Sequence, residues 1–250
     1  MATFVLVPGA WLGAWAWEAT AHALRERGHV ALPMTLTGLG ERSGLATPEV
    51  GLDTHIDDIT AFVVERDLHE VTLVAHSYAA VPVTGAAGRL GPRLERLVYV
   101  DSAPFAEGTC LLDVMPDDVV DQLHQQVAEH GDGWRLPLPP FGLLSEFSTL
   151  EGLDEDQLDL MRTRATPQPF RTFAQRLTRP DDLGPDVDHV VVACHDAKAL
   201  LDAGVPTLAF LNQPPWRRFH LPTGHWPMLS TPVELATTLD AVASSGGSGR

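Results

Sequence analysis

The first place in this chain where side chains of the right type could do covalent chemistry is Val71-Thr72-Leu73-Val74-Ala75-His76-Ser77-Tyr78-Ala79-Ala80, an apolar run that turns into small residues. Small residues at i−2 and i+2 give Ser77 the form of a strand-to-helix elbow, G-x-S-x-G, with Ala75 and Ala79 in place of the glycines. A buried strand that merely ends in serine reads the same way, so the assignment needs partners. A serine hydroxyl is a weak nucleophile at neutral pH and needs a base, and the base needs an orienting acid. His225, in Pro222-Thr223-Gly224-His225-Trp226-Pro227-Met228, is the candidate base, because this loop follows the last strand and reaches over the sheet edge to which the elbow points. Asp196, just after the preceding strand, is the preferred acid and gives the chain order Ser, Asp, His. Asp101, at the end of the strand after the elbow, is the alternative, with the competing role of tying down a loop. The backbone N–H groups of Tyr78 and of Ala10, in the loop after the first strand, are the candidate oxyanion donors; Pro8 has no N–H, but the donor would be Ala10. His76 is expected to point toward the sheet, and His55, His69, His124 and His130 to lie on helix or loop surface.

These residues need a scaffold that brings them to one edge. Apolar runs at 4–7, 29–34, 71–76 and 94–100 alternate with helical spacing at 17–27, 54–66 and 79–90. Strands that are nearly continuous in apolar residues and alternate with helices predict a parallel sheet covered on both faces, a doubly wound α/β domain. About eighty residues rich in proline and charge follow Asp101, with helical patterns at 114–129, 154–163 and 170–177. A strand at 189–194, a helix at 197–210, a strand at 216–221 and a helix at 232–242 close the chain. The long insert would lie over the crevice at the carboxyl ends of the strands, where such sheets bind ligands. Trp11, Trp226 and, from the insert, Trp134, Leu136, Leu138, Pro139, Pro140 and Phe141 are candidate pocket or lid residues; for any single insert residue, packing of the insert onto the core is the preferred reading. The expected division is a core of 1–104 and 186–243, a cap of 105–185 and a flexible tail of 244–250.

Composition excludes several classes. With 250 residues, 44% of them apolar, the chain can bury a real core, and a formal charge of −16 offers nothing to phosphate backbones or anionic lipid. Neither nucleic acid nor a membrane is therefore an expected partner. No apolar run approaches a bilayer span and the first residues carry no basic segment, so a cytoplasmic location is the default expectation. The two cysteines, Cys110 and Cys194, have no metal-type spacing and read as separate buried thiols.

Residues 7–15 (Val-Pro-Gly-Ala-Trp-Leu-Gly-Ala-Trp), 36–42 (Leu-Thr-Gly-Leu-Gly-Glu-Arg), 75–80 and 224–228 together resemble the α/β-hydrolase superfamily, and within it the plant methylesterase and hydroxynitrile lyase group and its bacterial relatives. The resemblance runs along nearly the whole core and is weakest in the insert. It implies a six-stranded, mostly parallel sheet, a helical cap after the fourth strand, no metal or organic cofactor, and a triad of Ser77, His225 and Asp196. Three departures stand out: Pro8-Gly9 replaces the family's His-Gly, the elbow is an alanine version, and the acid loop aligns only to within a residue of Asp196. Trp226 also follows the histidine where the lyase branch has lysine, which argues against cyanohydrin cleavage.

The expected function is hydrolysis of a carboxylic ester, a methyl ester or lactone of a small apolar or aromatic molecule, through an acyl-enzyme. The expected partner is that small molecule, with a second copy of the chain left open. The alternative is a cofactor-free lyase or cyclase of secondary metabolism with His225 as general base. A third reading, a non-catalytic small-molecule receptor, keeps the pocket without the chemistry.

Overall fold

The side chains of Val71–His76 are buried at all six positions, a pattern only the middle of a two-sided sheet imposes. The computed structural model describes residues 1–178 and 187–245, and places that run third in a chain of alternating strands and helices. In order these are β1 (Thr3–Val7), α1 (Glu18–Glu26), β2 (Val30–Pro33), α2 (Leu52–Glu65), β3 (Val71–His76), α3 (Ala80–Leu90) and β4 (Leu94–Val100). A long excursion follows, with α4 (Asp117–His130), β5 (Arg135–Leu136), α5 (Phe141–Leu144), α6 (Glu155–Arg164), β6 (Gln168–Pro169) and α7 (Arg171–Ala174). The chain then returns through β7 (Asp188–Ala193), α8 (His195–Asp202), β8 (Arg217–His220), α9 (Pro227–Ser230) and α10 (Pro232–Ser244).

Six strands form one sheet in the order β2-β1-β3-β4-β7-β8, every neighbouring pair parallel, with helices packed on it. From β1 the chain moves outward to β2, then returns to the other side of β1 for β3. That reversal opens a crevice at the carboxyl ends of β1 and β3, the place where doubly wound sheets hold ligands. The register pairs Val7 with Ala75, so the Pro8-Gly9-Ala10 loop and Ser77 leave the sheet side by side. α1 packs against α10 and α2 against α3, and the apolar residues between them form one continuous buried core.

Several elements differ from their sequence expectation. The helix expected over 197–210 splits into α8 and a 3-10 turn over Pro206–Asn212, because Gly204 takes φ +67 and Pro206 cannot donate to a continuing helix. The pattern at 170–177 yields only the four residues of α7. β5 and β6, far apart in the chain, pair as a two-residue antiparallel ladder that carries no readable period. α10 continues to Ser244, so the tail expected from residue 244 begins beyond it, and 246–250 lie outside the described residues. The expected boundary at 185/186 also falls outside them. Both cysteines are free and buried. Among the described residues no helix is long and apolar enough to cross a membrane.

Candidate active site

Ser77 has φ +52, in the left-handed region that a residue with a side chain enters only when its surroundings hold it there. It follows the last residue of β3 and starts a 3-10 turn, Ser77–Ala79, that runs into α3. The elbow is therefore formed with alanines: Ala75 and Ala79 are fully buried, and close approach is taken up instead at Gly9, where an added Cβ would stand 2.6 Å from His76 Nδ1 and 3.2 Å from Ser77 Cβ.

His225 Nε2 lies 2.9 Å from Ser77 Oγ, and its Nδ1 lies 2.7 Å from Asp101 Oδ2. With Nδ1–H donated to the carboxylate, Nε2 is left unprotonated and directed at the serine hydroxyl, the tautomer that can accept its proton. The preference for Asp196 over Asp101 is reversed by this geometry. Asp101, itself at φ +46, anchors Oδ1 on the N–H groups of Cys194 (3.0 Å) and Ala197 (2.9 Å), which turns Oδ2 toward the imidazole. The Asp196 carboxylate instead accepts the Thr149 N–H at 2.9 Å, and its Oδ2 stands 3.7 Å from His225 Nδ1, beyond hydrogen-bond length. Burial pushes the Asp101 carboxyl up, but the hydrogen bond and charge of His225 together with the Ala197 amide outweigh it and hold the group below the usual carboxylate range. Asp196 is displaced upward, chiefly by burial, with the neighbouring Asp101 charge adding to it.

Two histidines outside this line set its geometry. His76 does not simply turn into the sheet: it donates Nε2–H to the His225 carbonyl at 2.7 Å, and burial beside His225 depresses it to about 3, so it stays neutral. The His225 loop is held from the other side as well, since the His225 N–H donates to the Thr149 carbonyl at 3.3 Å and an added Cβ on Gly224 would meet the Glu151 carbonyl at 2.3 Å. His55, expected on the surface, is fully buried. It donates Nε2–H to the Thr37 carbonyl (2.8 Å) and accepts the Tyr78 hydroxyl proton at Nδ1 (2.7 Å), with burial lowering it to about 4.

A cavity of about 900 Å³ opens over Ser77, lined there by Ala10, Trp11, Tyr78, Phe173, His225 and Trp226. Ala10 and Tyr78 thus border the space beside the serine, where their amides can face a developing oxyanion. Trp226 packs edge-on to His225 with ring centroids 4.9 Å apart. Trp11 takes φ +64 and is fixed by three bonds to the excursion: its N–H to Gln168 Oε1 (3.1 Å), its indole N–H to the Leu136 carbonyl (3.0 Å), and its carbonyl from the Thr166 N–H (3.0 Å).

A profile of the alpha/beta hydrolase family matches residues 4–238. The chain belongs to that family. A carbendazim-hydrolysing esterase of a Nocardioides strain is 31% identical over 97% of this chain and 100% of its own length. Among solved structures, an extracellular α/β-hydrolase from a Paenibacillus species superposes with a TM-score of 0.78 at 18% identity, covering 96% of this chain and 98% of that one. The Arabidopsis methylesterase MES16 gives 0.74 at 21% identity, covering 98% and 99%. At those identities the two structures speak for the fold.

Within this α/β hydrolase the other expected pocket residues fall elsewhere. Trp134 does not line the cavity: it is half-buried, with the Arg135 guanidinium over its ring at 5.0 Å and its carbonyl bonded to the Phe170 N–H. Leu136 is fully buried in the packing of the excursion, and Leu138, Pro139, Pro140 and Phe141 also lie off the cavity. The excursion reaches the cavity through Val114, Met115, Phe147 and Phe173 instead.

Tyr78→Phe removes the hydroxyl that bonds His55 and also interacts with Thr172. The backbone N–H at position 78 survives, so ester turnover stays within a few-fold of the parent. Nδ1 of His55 is left without its donor in a dry site, which costs about 1–3 kcal/mol in urea unfolding.

Proposed function

We infer that the chain hydrolyses carboxylic esters, and that it does so through an acyl-enzyme on Ser77. The observation that carries the mechanism is the continuous line Ser77 Oγ–His225–Asp101, at 2.9 and 2.7 Å, behind a serine held at φ +52. His225 Nε2 takes the hydroxyl proton as Oγ attacks the ester carbonyl, and returns it to the leaving alkoxide. The N–H groups of Ala10 and Tyr78 receive the oxyanion, and Asp101 stabilises the imidazolium while remaining ionised. Water then repeats the sequence on the acyl group, releasing the acid and restoring Ser77. The name of the 31%-identical relative supports esters as the substrate class, and the apolar walls over Ser77 favour apolar or aromatic esters. Residues 105–178 act as a cap over this site, and no cofactor takes part in these steps.

The test is intact-mass analysis after exposure to a small fluorophosphonate. One adduct per chain, absent from Ser77→Ala, is the expected result. A folded, unlabelled parent protein would overturn the nucleophile assignment and favour the lyase or cyclase reading, in which His225 is a base and Ser77 only a hydrogen-bonding group.

A further inference from the structure

The cavity over Ser77 does not end at the reacting groups. It continues down the face of the sheet between α3 and α8, where Thr84, Tyr99, His189, Val191, Phe210 and Trp216 form its walls. Tyr99 pairs with Val191 and Leu97 with His189 in the β4–β7 register, so His189 lies four residues below the level of Asp101. At a strand rise of about 3.3 Å per residue this compartment extends about 13 Å from the reacting end.

The segment that covers it is built unlike an ordinary crossover. A helix returning a chain to a parallel sheet buries an apolar stripe directly on the strands, yet α8 has no buried residue and the Pro206–Asn212 turn has only Leu211. Apolar side chains of this segment, Leu201 of α8, Val205 between the two and Leu208 of the turn, line the cavity instead. Leu200 and Phe210, and Val114 of the excursion, are exposed at 49%, 39% and 63% and line the same cavity. The deep wall is aromatic: the Trp216 ring centroid lies 5.0 Å from His189, 5.5 Å from Phe210 and 5.9 Å from Tyr99. An apolar, aromatic-walled cleft of this extent, with its covering helix turned toward it and not packed on the strands, has the form of a ligand compartment.

We propose that this second compartment receives an apolar arm of the substrate ending in an aromatic ring, which makes the preferred substrates elongated aryl-bearing esters and not short alkyl esters. The ester sits at Ser77, the arm runs along the Tyr99–Val191 floor, and the terminal ring lies against Trp216. This deepens the ester-hydrolase reading and rests on it for the chemistry, while the compartment itself can be tested separately.

The experiment measures kcat/KM for two ester series, methyl ω-phenylalkanoates and ω-phenylalkyl acetates, against methyl acetate. Each methylene buried in an apolar site contributes about 0.8 kcal/mol, close to four-fold, so a rise of about 10²-fold with arm length in at least one series is expected. Trp216→Ala should remove ten-fold or more of that gain and leave methyl acetate within two-fold. Val191→Phe, which fills the compartment from its floor, should also abolish the length dependence, and it keeps the test open if Trp216→Ala fails to fold. Equal kcat/KM along both series, or an equal loss on short and long esters in the variants, overturns the compartment while leaving the hydrolase reading standing. If no ester turns over, the hydrolase reading fails. Tryptophan-fluorescence titration with the free ω-phenylalkanoic acids and ω-phenylalkanols then decides the compartment: length-dependent binding lost in Val191→Phe supports it, and its absence overturns it.

Discussion

Ser77→Ala lowers ester kcat by about 10⁴- to 10⁶-fold and changes the stability of the fold by no more than about 1 kcal/mol. The first figure follows from what the hydroxyl does: without it no acyl-enzyme forms, and what remains is the contribution of the oxyanion donors and of binding, which in serine hydrolases is a small remnant of the full effect. The second follows from what the hydroxyl touches. Among the described residues its hydroxyl bonds only to His225, at 2.9 Å, and one such bond contributes about 0.5–1.5 kcal/mol net, while the backbone strain at φ +52 is unchanged by an alanine. Turnover of a chromogenic acetate and urea unfolding of the same preparations check both halves. A variant that kept a tenth of the parent rate would show that His225 activates water directly and that Ser77 is not the nucleophile.

Asp101→Asn lowers kcat by about 10⁴-fold, whereas Asp196→Asn stays within about ten-fold of the parent. An asparagine at 101 can keep its bonds to the Cys194 and Ala197 amides only by presenting its NH₂ to His225 Nδ1, which moves the imidazole proton to Nε2 and removes the acceptor that Ser77 needs. Asp196 holds the Thr149 N–H, and an asparagine oxygen can do the same. Stability separates the two further, because their carboxyls are displaced in opposite directions. The folded value of Asp101 lies below its unfolded value of about 3.9, so its stabilisation is present above that pH and lost as pH falls through the folded value. Asp101→Asn is therefore less stable at pH 7, with a deficit that narrows in acid. For Asp196 the folded value is the higher one; its favourable contribution exists below about pH 3.9 and is lost as pH rises through the folded value, leaving the ionised group a cost at neutral pH. Asp196→Asn is accordingly at least as stable as the parent at pH 7, and relatively less so in acid. Steady-state kinetics at pH 7, with urea unfolding at pH 7, pH 4 and about pH 2.5, tests the pair, since the Asp101 window lies below about pH 3.9; a large rate loss confined to Asp196→Asn would return the acid's role to that residue.

What was readable in the sequence was local. Ser77 and its elbow lie within ten residues, and His225 sits in a glycine-marked loop at the end of a strand, so their neighbourhood follows from parallel topology. The choice between two strand-end carboxylates did not, because it depends on backbone angles at one residue: Asp101 at φ +46 swings its side chain onto the amides at the start of α8. His55 and His76 looked like a surface residue and a sheet-facing neighbour of the serine, and their partners, Tyr78 and the His225 carbonyl, are 23 and 149 residues away. Tyr78 beside the serine was the one available hint of a buried partner, since a phenol there needs an acceptor. The deep compartment had no sequence signal at all. It exists because the apolar side of α8 meets empty space, and an apolar stripe reads the same whether it packs on strands or on a ligand.

The three bonds from Trp11 to residues 136, 166 and 168 carry a kinetic consequence. The loop that presents the Ala10 amide is stitched to the overlying excursion, so that side of the enclosure cannot lift without dismantling the loop beside the serine. Exchange of ligand is therefore expected where the lining is most exposed, at Val114 and Leu200. Products that share one way out leave one after the other, and if Ser77 is acylated, a bulky alcohol held in the deep compartment would stand between the acyl group and its water.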